Sequence, residues 1–167
     1  MIISMKKRYG YYALWLIPIT LVLLIVLSVT RPKPGESTST QGNQHLASIE
    51  EQHISYDTSP PTSGPHLNQK APWGVSDEQI VDELQVHNLE DGGVIVHYDS
   101  ERTDETTKSI LVGLVNRYAD KVILEPYAGL ETPIVLTAWG RIDRIEAFDE
   151  ERITSFIAAY RGIDHHK

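Results

Sequence analysis

The sequence predicts an α+β fold, a mixed β-sheet with packed helices, preceded by one N-terminal transmembrane helix. Three observations predict it. Residues 9–29, YGYYALWLIPITLVLLIVLSV, carry no charged side chain. Three β-rich runs, Val94–Tyr98, Val122–Leu124 and Pro133–Trp139, read as strands. Two stretches with apolar residues at helical spacing separate or follow them. The resulting order is strand-helix-strand-strand-helix.

The uncharged run comes first in the chain. At ~1.5 Å per residue it spans roughly 30 Å, the thickness of a hydrocarbon layer. Tyr9, Tyr11, Tyr12 and Trp15 crowd one end as an aromatic belt does, and Lys6, Lys7 and Arg8 precede it. Basic flanks stay cytoplasmic, so the chain beyond residue 29 is expected outside the cell membrane, held to the lipid bilayer by residues 9–29. The run leaves through Ser28-Val29-Thr30-Arg31-Pro32, which lacks a small-x-small cleavage pattern. A retained single-pass anchor is therefore expected, with residues 1–8 as a cytoplasmic basic tail.

Residues 30–48 are dominated by Pro, Gly, Ser, Thr, Gln and Asn and read as a flexible linker. The extracytoplasmic domain is expected over residues 49–163, with 164–167 as a tail. His53-Ile54-Ser55-Tyr56 alternates well enough for a short strand. The stretch 60–66 holds three prolines and a glycine, which excludes helix and central strand and leaves a stiff loop. Ser76 with Gln79 forms a capping-box pattern for a helix using Ile80, Val81 and Leu84, giving way at Val86. Gly92-Gly93 then launches the strand Val94–Tyr98, expected to be central and buried on both sides. A longer helix opens at Thr103-Asp104-Glu105 and runs to about Asp120 through Ile110, Leu111, Leu114, Val115 and Tyr118. It is long enough to be a crossover that makes its flanking strands parallel. The turn Pro126-Tyr127-Ala128-Gly129 is expected to make the next pair antiparallel. The last helix, Asp149 to Tyr160, turns Ile153, Phe156 and Ile157 inward.

Composition excludes several function classes. There is no Cys among 167 residues, so no disulfide, thiolate metal site, iron–sulfur cluster or Cys nucleophile exists. The net charge is -8, and from residue 31 onward 12 basic side chains face 23 acidic ones, a net -11. Phosphate contacts need clustered Lys and Arg, so no nucleic-acid partner is expected. A protein partner is not identifiable. No Gly-x-Ser-x-Gly, phosphate loop, dinucleotide fingerprint or His-Glu-x-x-His occurs. Ser63 lies near His66, but in a turn a Ser hydroxyl caps backbone.

Some segments carry a resemblance. Pro60-Pro61-Thr62-Ser63-Gly64-Pro65-His66, Trp73-Gly74, His87-Asn88-Leu89-Glu90-x-Gly92-Gly93-Val94 and Leu136-Thr137-Ala138-Trp139-Gly140 occur in that order. Together they resemble the uncharacterised bacterial membrane-anchored family catalogued as domain of unknown function 3105, over roughly residues 50–162. The resemblance implies a single-pass anchor with an external domain and supplies no activity. Where the family's pattern, His-Asn-Leu-Glu-His-Gly-Gly, places a second His, this chain has Asp91. A metal site using that position gains a carboxylate and loses an imidazole.

Imidazole and carboxylate donors together suit zinc, copper or non-haem iron. His66 ends the Pro-stiffened loop. His87, Glu90 and Asp91 fall within five residues, and a helix there puts His87 and Asp91 on one face. The expected metal ligands are His66 and His87 with Glu90 or Asp91, near His53 or Tyr56, holding a divalent or copper ion. Three functions are compatible with these residues. One is an extracytoplasmic metal-binding module for copper or zinc. The second is a non-catalytic structural or protein-interaction domain. The third is a metal-dependent hydrolase with Glu90 as general base. His97 is expected to be a packed strand residue, and His165-His166 a disordered end.

Overall fold

The strand Val94–Tyr98 organises everything around it. In the computed structural model, which describes residues 32–166 and Val22, it is β5 and all five of its residues are buried. Apart from Val22, the expected anchor at residues 9–29 lies outside the described residues, as does the basic tail. Among the described residues no helix is long and apolar enough to cross a membrane.

The unit Pro34–Lys167 carries eight strands and three helices among its described residues. In chain order these are β1 (Glu36–Ser37), β2 (His45–Leu46), β3 (His66–Leu67), β4 (Gly74–Val75), α1 (Asp82–Glu90), β5, α2 (Glu105–Val115), β6 (Val122–Pro126), β7 (Ile134–Ala138), β8 (Arg141–Ile145) and α3 (Glu150–Tyr160). Six strands form a mixed sheet in the order β1-β8-β7-β5-β6-β4, and β2 pairs with β3 in a separate parallel ribbon. The α+β mixed sheet expected from the sequence is present.

Alternation along β5 sorts the core into two layers. Val94, Val96 and Tyr98 pack with Leu111, Leu114 and Val115 of α2 and with Ile153, Phe156 and Ile157 of α3. Ile95 points the other way, with Ile123, toward Leu89 of α1, Ala71, Trp73 and Trp139. α2 starts where the Asp104 carboxylate accepts the Thr107 amide, and α3 where Asp149 accepts the Arg152 amide. Ile110, one of the apolar positions at helical spacing, is 41% exposed on the outer side of α2.

Several expectations differ from the structure. β5 and β6 are parallel, as the crossover requires, but β7 does not lie beside β6. The chain passes over the end of β5, with the Tyr127 amide donating to Tyr98 O and the Asp99 amide to Pro133 O, and β7 pairs with the other edge of β5. A strand buried on both faces is best placed with both edges paired as well. β8 was not anticipated. Its charges, Arg141, Asp143 and Arg144, mask the strand, and Gly140 at φ 64° makes the tight reversal from β7. Residues 53–56 form no strand. Gln41 instead bridges them through its side chain, donating to Ser55 O and accepting from the Asp57 amide.

A further difference concerns α1, which does not give way at Val86 but continues to Glu90. Ser76 bonds locally to Glu78, Gln79 accepts the Ala128 amide, and the helix begins after Val81 without a side-chain cap. Gln85 to Glu90 are six consecutive buried residues, so the helix shows no apolar stripe for periodicity to find.

The expected linker is fastened from residue 34 onward. β1 pairs with β8, Gly64 N–H donates to Gly42 O and His66 N–H to Gln44 O, and Leu46 is buried. Polar composition does not reveal this, because the attachment is made by backbone groups and by polar side chains such as Gln41 and Asn43 that a linker carries just as well.

Candidate metal centre

Four chain segments converge beside the C-terminal turn of α1. The stiff loop 60–66 is buried throughout and is tied to the sheet where Gly140 N–H donates to Thr62 O. It delivers His66, fully buried, onto β3. The β2–β3 register sets His45 directly beside His66, with ring centroids 4.8 Å apart. α1 supplies His87 and Glu90, and the segment after α3 supplies His166. Gly92 and Gly93 permit the crowding. A Cβ on Gly93 would lie 2.5 Å from Asn88 O and 2.8 Å from the Trp73 ring, and one on Gly92 would lie 2.7 Å from the Ile163 backbone. Asn88 completes the frame by exchanging two hydrogen bonds with the Ala71 backbone.

His45, His66, His87 and Glu90 each offer a donor atom, and these atoms all lie within 4.8 Å of one another. The His87 ring centroid is 5.3 Å from that of His66, 5.7 Å from His45 and 5.8 Å from His166. Glu90 Oε2 is the hub. It lies 3.0 Å from His66 Nε2, 3.2 Å from His166 Nε2 and 3.7 Å from His45 Nε2. Its other oxygen accepts from Asn43 Nδ2 at 2.9 Å.

Two features of charge and protonation define the chemistry. The Glu90 carboxylate is fully buried, and its ion-pair partners are imidazoles, with no Lys or Arg among them. A buried carboxylate without a countercharge costs several kcal/mol, so this pocket calls for a cation. The carbonyl of Gly64 lies 2.8 Å from His66 Nδ1, which therefore donates to it and leaves Nε2 aimed at Glu90. A neutral imidazole would set its lone pair against a carboxylate oxygen, so a proton or a metal ion belongs between them. His87 Nδ1 is buried without a hydrogen-bond partner. Burial holds the His87 pKa below its ordinary value, and neighbouring His66 adds to this against the opposing pull of Asp91. Its imidazole is thus neutral, the form that binds metals. Asp164, hydrogen-bonded to His166 Nδ1 at 2.8 Å, raises the pKa of His166 and leaves Nε2 toward Glu90.

The expected meeting of His66 with His87 and Glu90 is therefore present. Asp91 plays a different part. Its Oδ1 lies 3.9 Å from His87 Nε2 and 3.7 Å from His166 Nδ1, but Lys70 Nζ pairs closely with its Oδ2 and already compensates its charge. His53 is elsewhere, with Nε2 3.3 Å from Glu83 Oε1 and its ring against Tyr56. Tyr56 donates to Pro65 O and supports the loop. Ser63 Oγ accepts the Gln41 amide, a capping role. Asn43, His45 and His166 were missed. The first two sit in a polar tract that reads as a spacer, and the third at a chain end that reads as disordered.

The fold and site define a class: an α+β domain with a buried His/Glu cluster able to hold a metal ion. Residues 48–167 match the family described as Protein of unknown function (DUF3105), and the chain belongs to that family. His45 falls just ahead of the matched residues. No curated protein and no solved structure matches the chain.

Proposed function

We propose that this domain binds one transition-metal ion, zinc or copper, through His66, His87, Glu90 and His45. The observation that carries the reading is the convergence of these four side chains, whose donor atoms all lie within 4.8 Å of one another, with His66 and His45 Nε2 3.0 and 3.7 Å from Glu90 Oε2. An ion with tetrahedral bonds of about 2.0–2.1 Å holds its ligand atoms about 3.3–3.4 Å apart, within this range. The donors are nitrogen and oxygen without sulfur, which suits Zn(II) and Cu(II), with Cu(II) the tighter by intrinsic affinity. Asn43 on Glu90 and the Gly64 carbonyl on His66 orient the donors as outer partners do at metal sites. Both Glu90 oxygens are engaged, which favours a binding role for this carboxylate over a general base.

Elemental analysis of the purified chain, then titration of metal-free protein with Zn(II) and Cu(II), tests the reading. One ion per chain is expected, released on acidification below about pH 6.5 as protons compete for imidazole. His66→Ala and His87→Ala should each abolish binding. A protein that takes up no ion at neutral pH, yet loses stability in both variants, has a purely structural cluster.

The domain's place in the cell is part of the same proposal. The charge-free run 9–29 behind Lys6-Lys7-Arg8 supports a single-pass anchor with the domain outside. Protease added to intact cells should remove the domain. Full protection, or a mature N-terminus near residue 30, contradicts the anchor.

A further inference from the structure

The segment after α3 is bound to the cluster by more than His166. Gly162 N–H donates to Gly92 O at 2.7 Å and His165 N–H to Glu90 O at 2.9 Å. The His165 ring stacks on Trp139 at 5.9 Å, and Trp139 in turn edges His66 at 6.2 Å. Gly92 lets the Ile163 backbone approach within a distance no side chain would tolerate. These contacts lay an exposed, irregular segment across the only ring of imidazoles among the described residues and end with His166 Nε2 3.2 Å from the Glu90 hub.

We propose, resting on the metal-binding reading above, that His166 is a fifth protein donor to the same ion, expanding its tetrahedral set to five-coordinate, and that residues 162–166 act as its strap, opening to admit or release the ion. The buried donors, His66, His87 and Glu90, are fixed within β3 and α1. His45 is 44% exposed too but is paired into the β2–β3 ribbon, whereas His166, 42% exposed, lies on an irregular segment beyond α3, so it is the donor that can leave and return. His87, Asp91 and His166 form a second group of donors, but Lys70 pairs with Asp91 and disfavours a second cation there. His166 therefore serves the Glu90 ion rather than one of its own. Asp164, bonded to Nδ1, fixes which nitrogen faces the ion.

The test uses the full chain, Zn(II), and Co(II) as a spectroscopic stand-in. His166→Ala, an exposed position that does not threaten folding, should weaken Zn(II) binding by about 10- to 100-fold, mainly through faster release. The visible Co(II) spectrum should change as one nitrogen donor is lost. In the wild type the His165 amide should exchange with solvent more slowly when Zn(II) is bound than in metal-free protein, and His166→Ala should remove that difference. Asp164→Asn should give a smaller loss in the same direction. Wild-type binding with unchanged affinity, release rate and Co(II) spectrum in His166→Ala overturns the strap and leaves the site intact. A wild type that binds no ion overturns both.

Discussion

Two buried histidine–glutamate pairs lie in this small domain, and they behave differently. His66 meets Glu90 at 3.0 Å, and His97 meets Glu125 at 2.8 Å; all four side chains are fully buried. His97 sits on β5 between its neighbours. Its Nε2 contacts Thr137 of β7 at 2.9 Å and its Nδ1 faces Glu125 of β6, whose other oxygen accepts the Ile80 amide. That cluster is closed by three adjacent strands and contains one imidazole. At Glu90 four imidazoles arrive from four separate segments, and one of them, His87, keeps an unpartnered nitrogen. A buried His–Glu pair is thus no sign of a metal centre by itself. What distinguishes the second cluster is the number of imidazoles gathered round one carboxylate, four against one.

The sharpest way to break the comparison is to remove the histidine of the closed pair. His97→Ala leaves Glu125 charged and buried, and should cost about 3–5 kcal/mol in denaturant unfolding while metal uptake per folded molecule stays unchanged. The open pair should answer differently. Glu90→Gln removes a buried carboxylate that no Lys or Arg compensates, so metal-free stability should not fall, while the stabilisation by Zn(II), about 2.7 kcal/mol at 100 times the wild-type Kd, should be abolished. A thermal melt with and without Zn(II) reads both effects.

A smaller effect separates the pairs by pH. Because burial lowers the His87 pKa, folding favours the neutral ring. Its contribution is fully present above the unfolded value of about 6.5 and is lost as pH falls through the lower folded value. Metal-free protein should therefore lose stability in urea between pH 7.5 and 5.5, and His87→Asn should flatten that slope. His166, with its pKa raised, contributes in the opposite sense but is exposed, so its part is minor. The smallest expected change is in His53→Ala. Its pair with Glu83 lies outside both clusters, so stability should fall by less than about 1 kcal/mol and Zn(II) affinity should not move.

The elements that were legible share one property: their signal is local. β5 announces itself as a β-branched run after a double glycine, and α2 and α3 by Asp caps ahead of apolar spacing. Half of the candidate site was legible on the same ground, since His87 and Glu90 are three residues apart and His66 ends a loop too stiff to be anything else. Periodicity reads α1 too short, because burial on all sides erases the pattern that marks a surface helix. β8 escapes the sequence because its charges sit in a strand whose Asp143 is paired with Arg152 of α3, a partner nine residues away on another element.

The sequence by itself determined the α+β class, the central strand, the acidic cysteine-free chemistry, and the histidines and carboxylate of the loop and helix. Only the tertiary structure decided that Glu90 rather than Asp91 is the hub, because Lys70, distant in sequence, takes up Asp91. Only it could bring in His45, through a two-residue parallel bridge to β3, and His166, through backbone bonds at Gly92 and Glu90. Neither segment has a pattern of its own to read. Each is placed largely by main-chain groups, which every residue carries alike, so its position is set by the edges and turns that the rest of the fold leaves open.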